Sequence, residues 1–489
     1  MSGRVSCRCC DEPSANDRGS CVKQDRPVIA ALQRELSDWR IWAARAVVIA
    51  AAIAAGLTVV AFTWLTELAL EHFFSLRTAW WWAPLLWTPL CTGVIVMLTR
   101  RFAPGAAGSG IPQVMATLDP AVAPEQRGIF VSVKLSVAKI ALTSAGLLGG
   151  LSLGREGPSV QIAAGIMHAA RRWLPRRSAV SEHGLLVAGG AAGIAAAFNT
   201  PLAGVMFAIE ELSRTPEQRS SGLLVSAIVL AGLVAVSAYG NGTYFGVIHV
   251  PGVSTALLWP GLLTALLSGL AGGLFARLML ASLGGLSGDG PSRLRRARPV
   301  LFAVLCGFAV AVIGVATHGA TFGSGYSYTR AMLEGGEPVP LLYVLFKFIA
   351  TWLTAWSGVP AGIFAPSLAI GAALGNDVAL LTHYPHAATL IALGMVGFLA
   401  AATQAPLTSF IIVMEMVDGH AMVLSLMACA LVASGVSRVL SRPLYPGLAK
   451  MQLGRLPAAT VAPDDVVPAP ADEQEARKEG EPDQGLPKG

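Results

Sequence analysis

The stretch Gly154-Arg155-Glu156-Gly157-Pro158 places an arginine and a glutamate among glycines and a proline inside a long apolar region. An ionisable group near a bilayer centre costs about 2.5–3.5 kcal/mol even on lenient scales, so it usually marks an ion or proton pathway. The glycines and proline predict that one helix ends and another begins here, which aims unpaired backbone N–H groups at the gap. Such groups bind anions, and they bind a carboxylate as well. The expected chemistry is a site that holds an anion in one state and Glu156 in another. A static ion pair between Arg155 and Glu156 is the bland alternative, disfavoured because sequence neighbours on a helix do not face each other.

The elements that must position this segment are membrane helices. Of 489 residues, 54% are hydrophobic and 13% charged, against roughly 25% charged in an average soluble domain. From Trp42 to about Leu440, apolar stretches long enough to span hydrocarbon recur about ten to twelve times. Several carry Gly or Pro at their centres, which predicts short or interrupted helices.

The 35 Lys and Arg residues against 29 Asp and Glu leave a small basic excess, and the basic residues are clustered. Arg171, Arg172, Arg176 and Arg177 form one group, and Arg293, Arg295, Arg296 and Arg298 another. Both follow or separate apolar segments, so they read as cytoplasmic loops. Lys23, Arg26, Arg34, Arg40 and Arg45 place the N-terminus on the same side, as do Arg100 and Arg101 two spans later. Trp80, Trp81 and Trp82 then fall in the opposite interfacial belt. No basic face of a soluble domain is available for nucleic acid.

Residues 1–40 lack a secretory h-region and read as a cytoplasmic leader, residues 41–455 as the transmembrane domain, and residues 456–489, rich in Pro and charge, as a disordered cytoplasmic tail. Of seven cysteines, four (Cys7, Cys9, Cys10 and Cys21) lie in the leader, where reduced thiols are the expected state. No metal site or cofactor is expected.

Internal repetition is the second strong signal. Gly-Ser-Gly at 108–110 recurs at 323–325, and Pro158-Ser159 recurs as Pro366-Ser367. AAAFNTPLAGVMFAIEE, ending at Glu211, matches AAATQAPLTSFIIVMEM, ending at Met416. In each, Pro-Leu (Pro201-Leu202, Pro406-Leu407) precedes a glutamate, Glu210 or Glu415, by the same spacing. The repeats cover about 80–215 and 300–420. Duplication with interrupted helices in matching places is the pattern of transporters whose site lies at the repeat interface near the midplane. The fold expected is an all-α polytopic membrane protein of two repeats; their relative orientation stays open, with inversion the expected arrangement.

Over residues 40–455 these motifs resemble the CLC family of chloride channels and proton-coupled chloride exchangers. They are GSGIP at Gly108–Pro112, GREGP at Gly154–Pro158, GIFAP at Gly362–Pro366, and Tyr445 in RPLYP. Four motifs in order and spacing are specific; GSGIP alone would pass for a small-residue packing element. The resemblance implies that Ser109 Oγ and the Tyr445 hydroxyl coordinate a central anion, with backbone amides around Gly157, Ile363 and Phe364 completing the site. Hydroxyl and amide donors supply partial positive charge without a full cation, so an anion binds and still leaves. By the same resemblance, Glu156 is the external gate, Glu211 the internal proton acceptor, and the serine in GSGIP favours chloride. The protein is expected in the inner, or plasma, membrane as a homodimer with both termini cytoplasmic.

Glu211 favours exchange, because channel members of the family carry an apolar residue there; its alternative is a solvated charge at a helix end. Glu210, Glu415 and Asp418 are expected to cap or pair. Gln113 and Met115 depart from the bacterial exchanger pattern and remove negative charge from the proton entry side. Lys139 sets a positive potential or pairs with a carboxylate. No CBS domains are expected. A passive chloride channel is the main alternative and a fluoride/proton exchanger the next. A membrane-embedded enzyme is remote, because the histidines form no HExxH and the serines lack a partner base.

Overall fold

The computed structural model describes residues 39–175, 178, 180–213, 221–240, 242–246, 255–284, 289–335, 340 and 342–454. The expected leader through Asp38, the arginines 176 and 177, and the tail from residue 455 lie outside them. Among the described residues the chain is helical throughout, and its one β-type pairing is an isolated antiparallel bridge between Gly154 and Gly362.

The chain opens with α1 (Trp39–Ala79), whose alanine, valine and isoleucine content makes it apolar on every side. It turns at the exposed Trp80–Trp82 into α2 (Pro84–Phe102), then passes through the short α3 (Ile111–Thr117) into α4 (Val133–Leu148). The helices α5 (Glu156–Ala169) and α6 (Glu182–Phe198) follow, then α7 (Pro201–Phe207), which runs on as a π-helical turn, Ala208–Leu212. The helix α8 (Ser221–Tyr239) ends the first half. The second half begins with α9 (Leu258–Gly284) and the short α10 (Gly290–Ala297). It continues with α11 (Pro299–Ala316), α12 (Tyr326–Leu333), α13 (Tyr343–Ser357), α14 (Phe364–Thr382), α15 (Ala387–Thr403), α16 (Pro406–Met416) and α17 (Val423–Leu440). A last helix, α18 (Leu444–Leu453), carries Tyr445.

Seven helical segments among the described residues are long and apolar enough to cross a bilayer. Three more apolar helices, α6, α15 and α16, are shorter. Hydropathy counts such helices together with the full spans, because α6 and α15 are almost wholly buried among other helices and need no lipid-facing length.

The order short–long–long recurs in α3–α5 and α12–α14, and the correspondence extends to individual bonds. Asn199 and Gln404, both left-handed, end α6 and α15. Lys139 Nζ on α4 donates to the carbonyls of Ala106 (2.8 Å) and Gly108 (2.6 Å), and Lys347 Nζ on α13 to those of Thr321 (3.0 Å) and Gly323 (2.8 Å). Each buried ammonium thus ties down the loop before a Gly-Ser-Gly helix start. Of the two readings of Lys139, pairing with a carboxylate gives way to this carbonyl clasp.

Glu210 and Glu415 join the halves. The Glu210 carboxylate accepts from the N–H groups of Leu407 (3.1 Å) and Thr408 (2.6 Å) in the first turn of α16. Glu415 accepts from Leu202 (3.2 Å) and Ala203 (2.7 Å) in the first turn of α7. Such reciprocity is that of a pseudo-two-fold axis, and carboxylates at helix N-termini satisfy orphan N–H groups and the helix dipole together. At the bridge, Gly154 N–H donates to Gly362 O (2.8 Å) and Gly362 N–H to Gly154 O (3.1 Å). Its antiparallel sense fits a two-fold relation between the halves, with α5 and α14 both starting beside it, as inverted repeats require.

Candidate anion and proton site

Two helix N-termini, the first Gly-Ser-Gly loop and the segment carrying Tyr445 meet beside that bridge. Glycine makes the approach available: a Cβ on Gly157 would overlap Ser109 Oγ, and one on Gly362 would stand 2.7 Å from Gly154 O. Gly110 has φ +110° and lies against the Gly157 carbonyl, so the turn into α3 needs glycine for both conformation and space. Thus the spacing of small residues lets the loop at 108–110 close onto the start of α5, and the Lys139 clasp holds it there.

Glu156 is the first residue of α5 and is fully buried. Its Oε2 accepts from Ala365 N–H at the start of α14, at 3.4 Å, and its Oε1 has no hydrogen-bond partner. Arg155 turns away from it: Nη1 binds Glu67 Oε1 at 2.8 Å and the Thr63 carbonyl at 3.4 Å, and Nη2 donates to Tyr244 Oη at 3.3 Å. The Arg155–Glu156 ion pair is therefore replaced by a bond to α1.

Ser109 and Tyr445 are both buried, their hydroxyls face one another, and neither meets hydrogen-bond geometry with any third group of the protein. Burying a hydroxyl without a full set of partners costs free energy, so two such groups together with a half-satisfied carboxylate form a polar cradle suited to a small ligand. Ile363 caps α14 and Phe364 begins it, so the first-turn amides there lack intrahelical partners. Tyr445 stacks on Phe364, with centroids 5.9 Å apart and 11° between planes, and Phe364 packs against Phe198 and Phe207. All seven residues singled out from the sequence, Ser109, Glu156, Gly157, Glu211, Ile363, Phe364 and Tyr445, fall in this region.

Glu211 sits in the π-helical turn, where Ser213 N–H reaches back to Ala208 O at 2.7 Å. It is 7% exposed and within electrostatic reach of Tyr445, which sets aside a solvated helix-end charge. Single π turns occur disproportionately at functional sites. Sequence reading missed the aromatic wall of Phe198 and Phe207, although Phe198 stands beside the repeated Pro-Leu motif. It also missed the work of Gln113: Gly110 N–H donates to its Oε1 at 2.9 Å, while its Nε2 donates to the Ala107 carbonyl. A glutamate there would lack that donor.

A cavity of about 970 Å³ leads to Glu156 from one side, lined by Glu67, Glu71, Arg155, Tyr244, Ser324 and Tyr326. No metal-binding group of His, Cys, Asp and Glu occurs among the described residues.

Inverted repeats, interrupted helices and a buried cradle between helix N-termini define a membrane transport protein of the two-repeat class. Residues 91–438 match the family described as voltage gated chloride channel, and the chain belongs to that family. It is 30% identical over 413 residues to the H(+)/Cl(-) exchange transporter ClcA of Salmonella paratyphi A, covering 82% of this chain and 84% of the relative. It is 31% identical over 434 residues to the protein of that name from Cronobacter sakazakii, covering 84% and 90%. Among solved structures, a slow cyanobacterial Cl-/H+ antiporter superposes with a TM-score of 0.72 at 25% identity, covering 84% of this chain and 98% of the other. A CLC-type fluoride/proton antiporter shares the fold, with a TM-score of 0.68 at 22% identity, over 84% and 99%.

Proposed function

We propose that this protein exchanges chloride for protons across the membrane, with the anion held between Ser109 Oγ, the Tyr445 hydroxyl and the amides around Gly157, Ile363 and Phe364. The observation that carries this reading is the meeting of three unsatisfied buried polar groups, on Ser109, Glu156 and Tyr445, at two helix N-termini. Neutral donors hold chloride by partial charge, and they release it because no full cation opposes departure. The names of the relatives and of the cyanobacterial structure support exchange over passive conduction.

Glu156 acts as gate and proton carrier. Ionised, its carboxylate competes with chloride for the amides of the cradle, as its contact with Ala365 N–H illustrates. Protonated, it loses that attraction and leaves the amides to the anion. One side chain thereby links two ions without a separate coupling device. Glu211 receives protons from the cytoplasmic side; its burial in a π turn near Tyr445 supports that role.

Residues 41–455 form the transport domain, with a leader before it and a charged tail after. The protein lies in the inner membrane with both termini cytoplasmic, as the basic residues at Arg40, Arg45, Arg100 and Arg101 indicate. It works as a homodimer in which each copy has its own pathway; exposed apolar residues such as Val225, Leu233, Leu424 and Leu431 suit a second copy.

The test is proton uptake into liposomes holding the purified protein, driven only by a chloride gradient with the membrane potential clamped. Uphill proton movement is expected, lost in Glu156→Ala while chloride flux continues. Chloride flux without proton movement in the native protein would overturn exchange and establish a channel.

A further inference from the structure

The cavity that reaches Glu156 carries two further glutamates, Glu67 and Glu71, in its wall. Arg155 is the cation among them, and its guanidinium is held on three sides. Glu67 takes Nη1 at 2.8 Å, the Thr63 carbonyl takes the same nitrogen at 3.4 Å, and the Tyr244 hydroxyl takes Nη2 at 3.3 Å. The Tyr244 ring also lies 6.0 Å from the guanidinium carbon, within the range of a cation–π contact.

Tyr244 is itself anchored. Its carbonyl accepts from the Tyr326 hydroxyl at 2.9 Å, its ring meets Tyr326 and Phe198 edge-on, and the next residue, Phe245, donates its N–H to Met416 O at 2.9 Å. The guanidinium is thus positioned by α1, by the segment after α8 and by α12. Its side chain is 13% exposed against 50% for Glu67, so the cation sits at the cavity floor with its counter-charge on the solvent side.

We propose that Glu67 is a specificity-determining residue for anion entry, setting how tightly chloride is held by fixing and neutralising Arg155. An unopposed arginine next to Glu156 would attract chloride into the entrance and retain it. A paired one still orders the start of α5 while offering the anion little net charge. The acid on α1 therefore trades affinity for release, which is what a carrier working in both directions needs. This rests on the proposed function, in which Glu156 gates the anion site, and takes the cavity that reaches Glu156 as the anion's entrance.

Equilibrium chloride binding to the purified protein, measured by calorimetry in gluconate buffer at low and high ionic strength, tests it. Glu67→Gln is expected to tighten binding about three- to tenfold at low salt, an effect that shrinks at high salt as screening sets in. Glu67→Asp, which keeps the charge, is expected to stay within about twofold of the native affinity. Arg155→Gln should weaken binding, and adding Glu67→Gln to it should then tighten binding by clearly less than Glu67→Gln does in the native background, because only direct repulsion by the carboxylate is then removed. An unchanged affinity in Glu67→Gln overturns the proposal, and so does an equal tightening in the Arg155→Gln background. A binding signal that survives Ser109→Ala unaltered would instead overturn the anion-site reading on which it rests.

Discussion

In the first repeat the bridge glycine, Gly154, is followed by Arg155, Glu156, Gly157 and Pro158; in the second, Gly362 is followed by Ile363, Phe364, Ala365 and Pro366. Both segments make the same backbone bridge and both open a helix. One puts a carboxylate at its first helical position and the other a phenyl ring. The same contrast returns downstream, where Glu211 in a π turn stands opposite Met416 in a regular helix. Glu210 and Glu415, by comparison, are alike in residue and in bonding. The symmetric pair Glu210 and Glu415 holds the halves together, whereas Glu156 and Glu211, the two groups proposed to handle the proton, have no acidic counterpart in the second repeat. The proposed proton path, unlike the scaffold, is therefore built on one repeat alone.

Exchanging asymmetric residues tests that division most severely. Glu156→Gln is expected to bring chloride-driven proton uptake to background while chloride flux persists; persistent proton uptake would remove the gate from the first repeat. Next, Glu211→Met, which installs the residue of the second repeat, is expected to lower proton transport by about tenfold or more and leave chloride flux within a few-fold. Parallel loss of both fluxes would show Glu211 to be structural.

Gly157→Ala pushes a methyl group into Ser109 Oγ. Overpacking of this kind costs about 1–3 kcal/mol, so lower thermal stability in detergent and weaker chloride binding are expected together. Retained stability and binding would mean that the loop at 108–110 can retreat from α5. The smallest effect is expected within the symmetric pair: Glu210→Gln and Glu415→Gln should each lower stability by less than the about 1.5–3 kcal/mol of a charged hydrogen bond, because the amide oxygen still accepts. Clearly unequal losses in thermal unfolding would limit the symmetry to geometry.

Much of this was legible in the sequence because glycine, proline and charge are rare and meaningful in membrane helices. The Gly-Ser-Gly, GREGP and GIFAP segments announced helix starts, and the Pro-Leu spacing announced the repeat. The partners of Arg155 were not legible. Glu67 lies on α1, far away in sequence, and looks like one polar residue in a long apolar helix; only folding brings it to 2.8 Å from the guanidinium. Orientation of the repeats was likewise closed to sequence, because similarity between two segments is blind to their direction in space. The π turn at Glu211 escaped for a related reason: Ala208–Leu212 aligns without a gap to the helical Val413–Val417 region, so the altered winding leaves no mark in the alignment.

The bridge between Gly154 and Gly362 uses main-chain atoms alone. Because the joint needs only backbone groups, the side chains on either side of it can differ without loosening it. Glu156 stands two positions after the joint in one copy and Phe364 in the other, and the fastening is the same in both. A fastening that ignores side-chain identity lets a twofold architecture hold unlike side chains at equivalent places.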